Sequence, residues 1–154
     1  MFKAIRSGLN KDEGFTLIEL MVVVMIIAVL IAIAIPSFLG FRASAQDRSA
    51  QSEIRNVLLA EKAVWLDTNA YTETTADITA FEPNATVTAD TTTGVVPQLA
   101  SDTNIVCLTR TSDSGSVFAV WESSTAGTFY GATDLSGTCP LAAARPASYV
   151  QGGW

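Results

Sequence analysis

The sequence predicts an α+β protein: a long N-terminal helix whose second half packs on a small antiparallel sheet. Three observations lead there. Residues 15–35 are apolar apart from Thr16 and Glu19. Residues 41–66 carry an apolar stripe at helical spacing. Residues 105–133 hold three short β-branched and aromatic runs separated by turn-forming residues.

The apolar run sets the frame. Its roughly 21 residues would make a helix about 31 Å long, close to the thickness of a bilayer's hydrocarbon core. A helix apolar all round belongs in lipid or in the interior of an assembly. Glu19 is the one charge in it. A carboxylate there is costly unless it has a partner or a task, although the positive end of the helix dipole offers partial compensation in the first turn.

Composition bounds the remainder. The chain has 154 residues and a net charge of −6. That is one modest domain plus an anchor. The first 14 residues carry Lys3, Arg6 and Lys11 against Asp12 and Glu13, which places the N-terminus on the cytoplasmic side. An acidic remainder opposes tight binding to a phosphate backbone, so no direct nucleic-acid partner is expected. Histidine is absent, which removes the commonest general base and metal ligand. No Walker or dinucleotide glycine pattern occurs. The reading is a non-enzyme with no cofactor and no metal. Asp102, Asp113 and Asp134 lie in turns without the spacing of a calcium loop.

Along the chain, Pro36 and Gly40 form a soft point in the first helix rather than its end, because the helical period resumes beyond them. Ala43, Ala50, Val57 and Val64 recur every seven residues, with Ile54, Leu58 and Trp65 on the same side. Arg48, Ser52, Arg55, Asn56 and Lys62 lie opposite. Asp67-Thr68-Asn69 ends the helix. Residues 67–104 read as a long irregular connection, with short strands near Thr86–Thr88 and Gly94–Val96. Asn84-Ala85-Thr86 fits a glycosylation sequon of a kind that recurs by chance. The runs Ile105–Arg110, Ser116–Glu122 and Thr128–Thr133, joined by short links, imply a meander. In the middle run Val117, Ala119 and Trp121 alternate with Phe118 and Val120, so both faces need covering. Residues 134–154 show no clear period, and whether Trp154 packs is left open. Cys107 and Cys139 are either a disulfide, as in exported chains, or inert buried thiols, as in cytosolic ones.

Gly14-Phe15-Thr16-Leu17-Ile18-Glu19, followed at once by a spanning helix with Pro36 in it, resembles the type IV prepilin signature. The resemblance covers the N-terminal third; Asp12 and Glu13 stand where many family leaders have a basic residue. It implies the pilin fold. It also implies a leader at 1–14, a transmembrane and polymerisation helix at 15–40, and a globular head at 41–154. That head comprises an amphipathic helix at 41–66, a loop at 67–104, a meander at 105–133 and a C-terminal region at 134–154. A membrane peptidase and N-methyltransferase would cut between Gly14 and Phe15 and methylate the freed amine of Phe15. A glycine there lets the backbone enter a tight site. Glu19 would then set assembly register, pairing with that amine in its own chain or in the next subunit. Two unit charges about 4 Å apart at an effective dielectric near 20 attract by about 4 kcal/mol before desolvation. The resemblance also supports a Cys107–Cys139 disulfide, worth about 3–4 kcal/mol by chain entropy.

The implied partners are identical subunits, the peptidase, the pilus assembly machinery with its minor pilins, and the membrane before assembly. The implied location is the inner membrane as a single-pass precursor, then an extracellular or periplasmic filament. Some relatives acting in secretion bind calcium in the C-terminal region. The alternatives are a secretion pseudopilin, a monomeric membrane-anchored binding module, and a soluble product cut after Ala34 in the Ala32-Ile33-Ala34 triplet.

Overall fold

The computed structural model describes residues 14–101, 103–132 and 147–154. The chain divides into two compact units, with Gly40 the last residue of the first and Phe41 the first residue of the second. A single helix, α1, is assigned from Leu17 to Thr68.

In the first unit α1 runs through Pro36. Proline lacks an N–H and so removes one bond from the helical ladder. One turn is reinforced by Ser37, whose hydroxyl donates to the Ile33 carbonyl at 3.4 Å. Every residue from 14 to 40 is exposed.

In the second unit the buried residues of α1 are Ala50, Ile54, Val57, Leu58, Ala60, Glu61 and Val64. Ala50, Ile54, Val57, Leu58 and Val64 are the expected stripe, with Ala43 and Trp65 of that stripe only half-buried and one carboxylate added to it. The helix stops where Asn69 takes a left-handed φ of 58° and donates its N–H to the Trp65 carbonyl at 2.8 Å.

The connection that follows is more ordered than expected. It contains a short helix, α2, Thr75–Phe81, whose Ile78 is fully buried. Seven residues give too little periodic signal to stand out in a Thr-rich stretch. A strand, β1, spans Val96–Leu99, slightly later than expected and with Pro97 inside it. Proline is tolerated because β1 is an edge strand. Val87 and Val95 form a parallel bridge just before it.

Three further strands are β2 Ile105–Thr111, β3 Val117–Ser123 and β4 Gly127–Ala132. Among the described residues the sheet has four strands in the order β1-β2-β3-β4, every pair antiparallel. The expected meander is therefore present with one more strand. Gly115 at φ 92° turns the β2–β3 hairpin, where Ser112 N–H donates to the Ser116 carbonyl at 2.7 Å.

Both faces of β3 are covered. Phe118 and Val120 join Val106, Leu108 and the α1 stripe in the larger core. Ala119 and Trp121 join Ala100, Ile105 and Tyr149 in a second one. Tyr149 is fully buried. Its neighbour Val150 exchanges two backbone hydrogen bonds with Tyr130, at 2.8 and 3.0 Å, and so lies along β4. Trp154 packs edge-on against Phe118 and Tyr130, at centroid distances of 5.5 and 4.9 Å, and its indole N–H donates to the Gly131 carbonyl. Arg55 stacks on its ring.

The disulfide expectation is corrected here. Cys139 lies outside the described residues, so they contain no cysteine pair and the Cys107–Cys139 bond is no part of the described fold. Cys107 is fully buried on β2 and is not a free thiol. The contacts seen to return the C-terminal segment to the sheet are those of Tyr149, Val150 and Trp154.

Candidate functional site: the N-terminal helix start

The residues singled out at the N-terminus meet in one turn. Gly14, Phe15 and Thr16 precede α1, and Glu19 lies in its first turn. The Glu19 carboxylate accepts two bonds through Oε2: from the Thr16 backbone N–H at 2.9 Å and from the Thr16 hydroxyl at 2.7 Å. The Glu19 N–H reaches back to Thr16 Oγ1 at 3.3 Å. This reciprocal pair is a capping box, with Thr16 as N-cap and Glu19 as the third helical residue. It satisfies backbone donors that a helix start otherwise leaves without partners. Sequence reasoning assigned Glu19 and overlooked Thr16. The signal was present as Thr-x-x-Glu at the head of an apolar run.

The helix behind this turn is unusually apolar for exposed surface. Phe15 is 91% exposed, and Leu17, Ile18, Leu20 and Met21 are all above 60%. Among the described residues one helix, α1, is long and apolar enough to cross a membrane. A Cβ added at Gly14 would meet no atom within 4 Å, and the same holds at Gly40. Packing in the described structure therefore places no demand for glycine at either position.

The head presents a different chemistry. Arg110 is nearly buried and pairs through Nε with Glu53 Oε2 at 2.7 Å. Its Nη1 donates to the carbonyls of Thr91, Thr92 and Thr111 at 2.9, 2.8 and 2.6 Å. A cleft of about 290 Å³ beside it is lined by Arg42, Gln46, Ser49, Glu53 and Ser112 among others. Two of these bonds fix the 91–92 loop, which is a structural task. Among the described residues no group of three His, Cys, Asp or Glu side chains is placed to hold a metal. Asp102 and Asp134 lie outside the described residues.

Residues 9–35 match the family described as "Prokaryotic N-terminal methylation motif". Over this N-terminal part the chain is similar to type IV pilins and pseudopilins. Curated relatives agree. The type IV major pilin protein PilA of Myxococcus xanthus is 40% identical over 63 residues, which are 41% of this chain and 29% of that protein. The type IV wide pilus major component PilA4 of Thermus thermophilus is 35% identical over 68 residues, 44% of this chain and 52% of that protein. The type II secretion system core protein G of Pectobacterium carotovorum is 34% identical over 77 residues, 50% of this chain and 49% of that protein. The matched part thus spans about half or less of these relatives' own length. The chain's N-terminus carries a processing and methylation motif.

Proposed function

We propose that this chain is a subunit of a type IV pilus-like filament. It is inserted as a single-pass precursor in the inner membrane, with residues 1–14 as the leader on the cytoplasmic side. A prepilin peptidase hydrolyses the Gly14–Phe15 peptide bond, and the freed amine of Phe15 is methylated. The helix 15–40 then leaves lipid and packs against the same helix of other copies, with the assembly machinery and minor pilins as partners, and the head 41–154 faces the exterior of the filament.

One observation carries this reading: a fully exposed apolar helix whose lone carboxylate is held one turn from the proposed cut. Lipid and a bundle of like helices are the two environments that satisfy such a surface. Glu19 supplies a charge that the Phe15 amine complements, within a chain or between subunits, and the lack of other charges from 15 to 35 penalises wrong offsets. Pro36 and Gly40 give the helix a soft point during that transfer. Adhesion, motility and DNA uptake are the tasks such a filament serves.

A second reading, a pseudopilin of a type II secretion system, is favoured by the match to core protein G. Mass spectrometry of the mature N-terminus tests both. A chain beginning with methylated Phe15 is expected, and Gly14→Val is expected to retain the leader. A mature chain that keeps its first 14 residues, or begins at Ile35, refutes the processing scheme. Electron microscopy of sheared surface material then tests for fibres.

A further inference from the structure

The carboxyl of Glu61 sits in the apolar stripe of α1 and is fully buried. Its Oε2 accepts the backbone N–H of Thr72 at 3.1 Å. Its Oε1 is buried with no hydrogen-bond partner among the described residues. Thr72 belongs to the segment that leaves α1 at Asn69 and leads into α2. That segment is fastened further by Tyr71, whose N–H donates to the Thr103 carbonyl at 2.9 Å, and by Glu73, which accepts from Leu99 N–H at 2.6 Å. Ile78 of α2 lies in the core.

The charged and titratable groups around Glu61 are mostly acidic. Glu73 precedes α2 and Asp77 lies in it, and both act on Glu61 as like charges. Glu122 on β3 is buried, and Tyr71 donates to its Oε1 at 3.4 Å. The cation of the cluster, Lys62, is committed to Glu122 at 3.3 Å and to the Thr128 hydroxyl at 2.9 Å. Among the described residues Glu61 thus has neither a cation nor a second hydrogen bond to offset a negative charge. A neutral carboxyl still offers Thr72 the acceptor it needs, whereas an ionised one brings an uncompensated charge into the core.

We propose that Glu61 is a proton-operated clasp: neutral, it holds residues 70–81 on the head, and ionised, it lets that segment open. Burial, opposed only by the Thr72 bond, raises Glu61 to about 7. An open segment returns it to the ordinary range near 4.5. Because the closed form has the raised value, closure is fully favoured in acid. It weakens as pH rises from about 4.5 to about 7, and changes no further above that. The head therefore tightens in acidic surroundings and loosens at and above neutrality.

Hydrogen exchange of the full-length chain in detergent micelles tests this, with rates corrected for intrinsic base catalysis. The opening constant of amides 70–81 is expected to rise about tenfold per pH unit between pH ~5 and ~7 and then level off. Glu61→Gln, close in shape and unable to ionise, is expected to remove that slope and to exchange more slowly than wild type at pH ~8. A flat profile in the wild type, or an unchanged slope in Glu61→Gln, overturns the proposal. Infrared difference spectra give a readout independent of that variant's folding. A protonated-carboxyl band that bleaches as wild-type pH is raised through about 7 is expected, and its absence overturns the proposal.

Discussion

Thr16 and Glu19 hold each other at the first turn of α1, with the Thr16 N–H and hydroxyl both on Glu19 Oε2 and the Glu19 N–H on Thr16 Oγ1. The carboxylate is thereby fixed at the head of the helix. Loss of an N-cap hydroxyl costs about 1 kcal/mol. Thr16→Ala is accordingly expected to speed amide exchange in the first turn about fivefold in micelles. Unchanged exchange there means the box contributes nothing.

Charge and capping at Glu19 separate by substitution. Glutamine at the third helical position preserves a capping box, whereas alanine removes it. Both Glu19→Gln and Glu19→Ala are expected to be cleaved normally and to give a low yield of sheared filaments, because both lack the charge for Phe15. Normal filament yield from Glu19→Gln, with loss only in Glu19→Ala, would show that the cap alone matters and would remove the register argument.

Arg110 joins α1 to the 91–92 loop through Glu53 and the carbonyls of Thr91 and Thr92, and also donates to the Thr111 carbonyl. Hydrogen bonds to a charged group contribute about 1.5–3 kcal/mol, and truncation leaves carbonyls without their donor. Arg110→Ala is expected to lower head stability by about 2–3 kcal/mol in urea unfolding. Lysine is expected to restore little, since its single ammonium cannot reproduce the planar fork. A loss below about 0.5 kcal/mol contradicts the hub role.

Gly131 faces the ring of Tyr149, and an added Cβ would stand 2.8 Å from Cζ. Gly131→Ala must therefore displace the ring that covers the second core, at about 1–3 kcal/mol. Combining it with Tyr149→Leu is expected to give a coupling energy of at least about 0.5 kcal/mol in a double-mutant cycle. Additive losses would mean that the two positions do not compete for the same space.

The sequence by itself determined what repeats locally or is read as a contiguous run. The apolar length of 15–35, the stripe through Ala50, Ile54, Val57 and Val64, and the three runs from 105 to 133 follow from side-chain periods of 3.6 and 2. The processing motif, six adjacent residues, was legible through its resemblance to a known signature. Only the tertiary structure decided the features that depend on distant segments meeting. Phe118 and Val120, rather than Ala119 and Trp121, face α1. Tyr149 fills the other side, and Trp154 docks on Phe118 and Tyr130. Glu61 was visible at i+4 from Val57 and i+7 from Ile54, yet spacing alone could not tell a buried acid from one at the stripe's edge. Its burial depends on a segment beyond the helix, with Thr72 meeting its carboxyl, and alternation along a strand cannot say which face meets the helix.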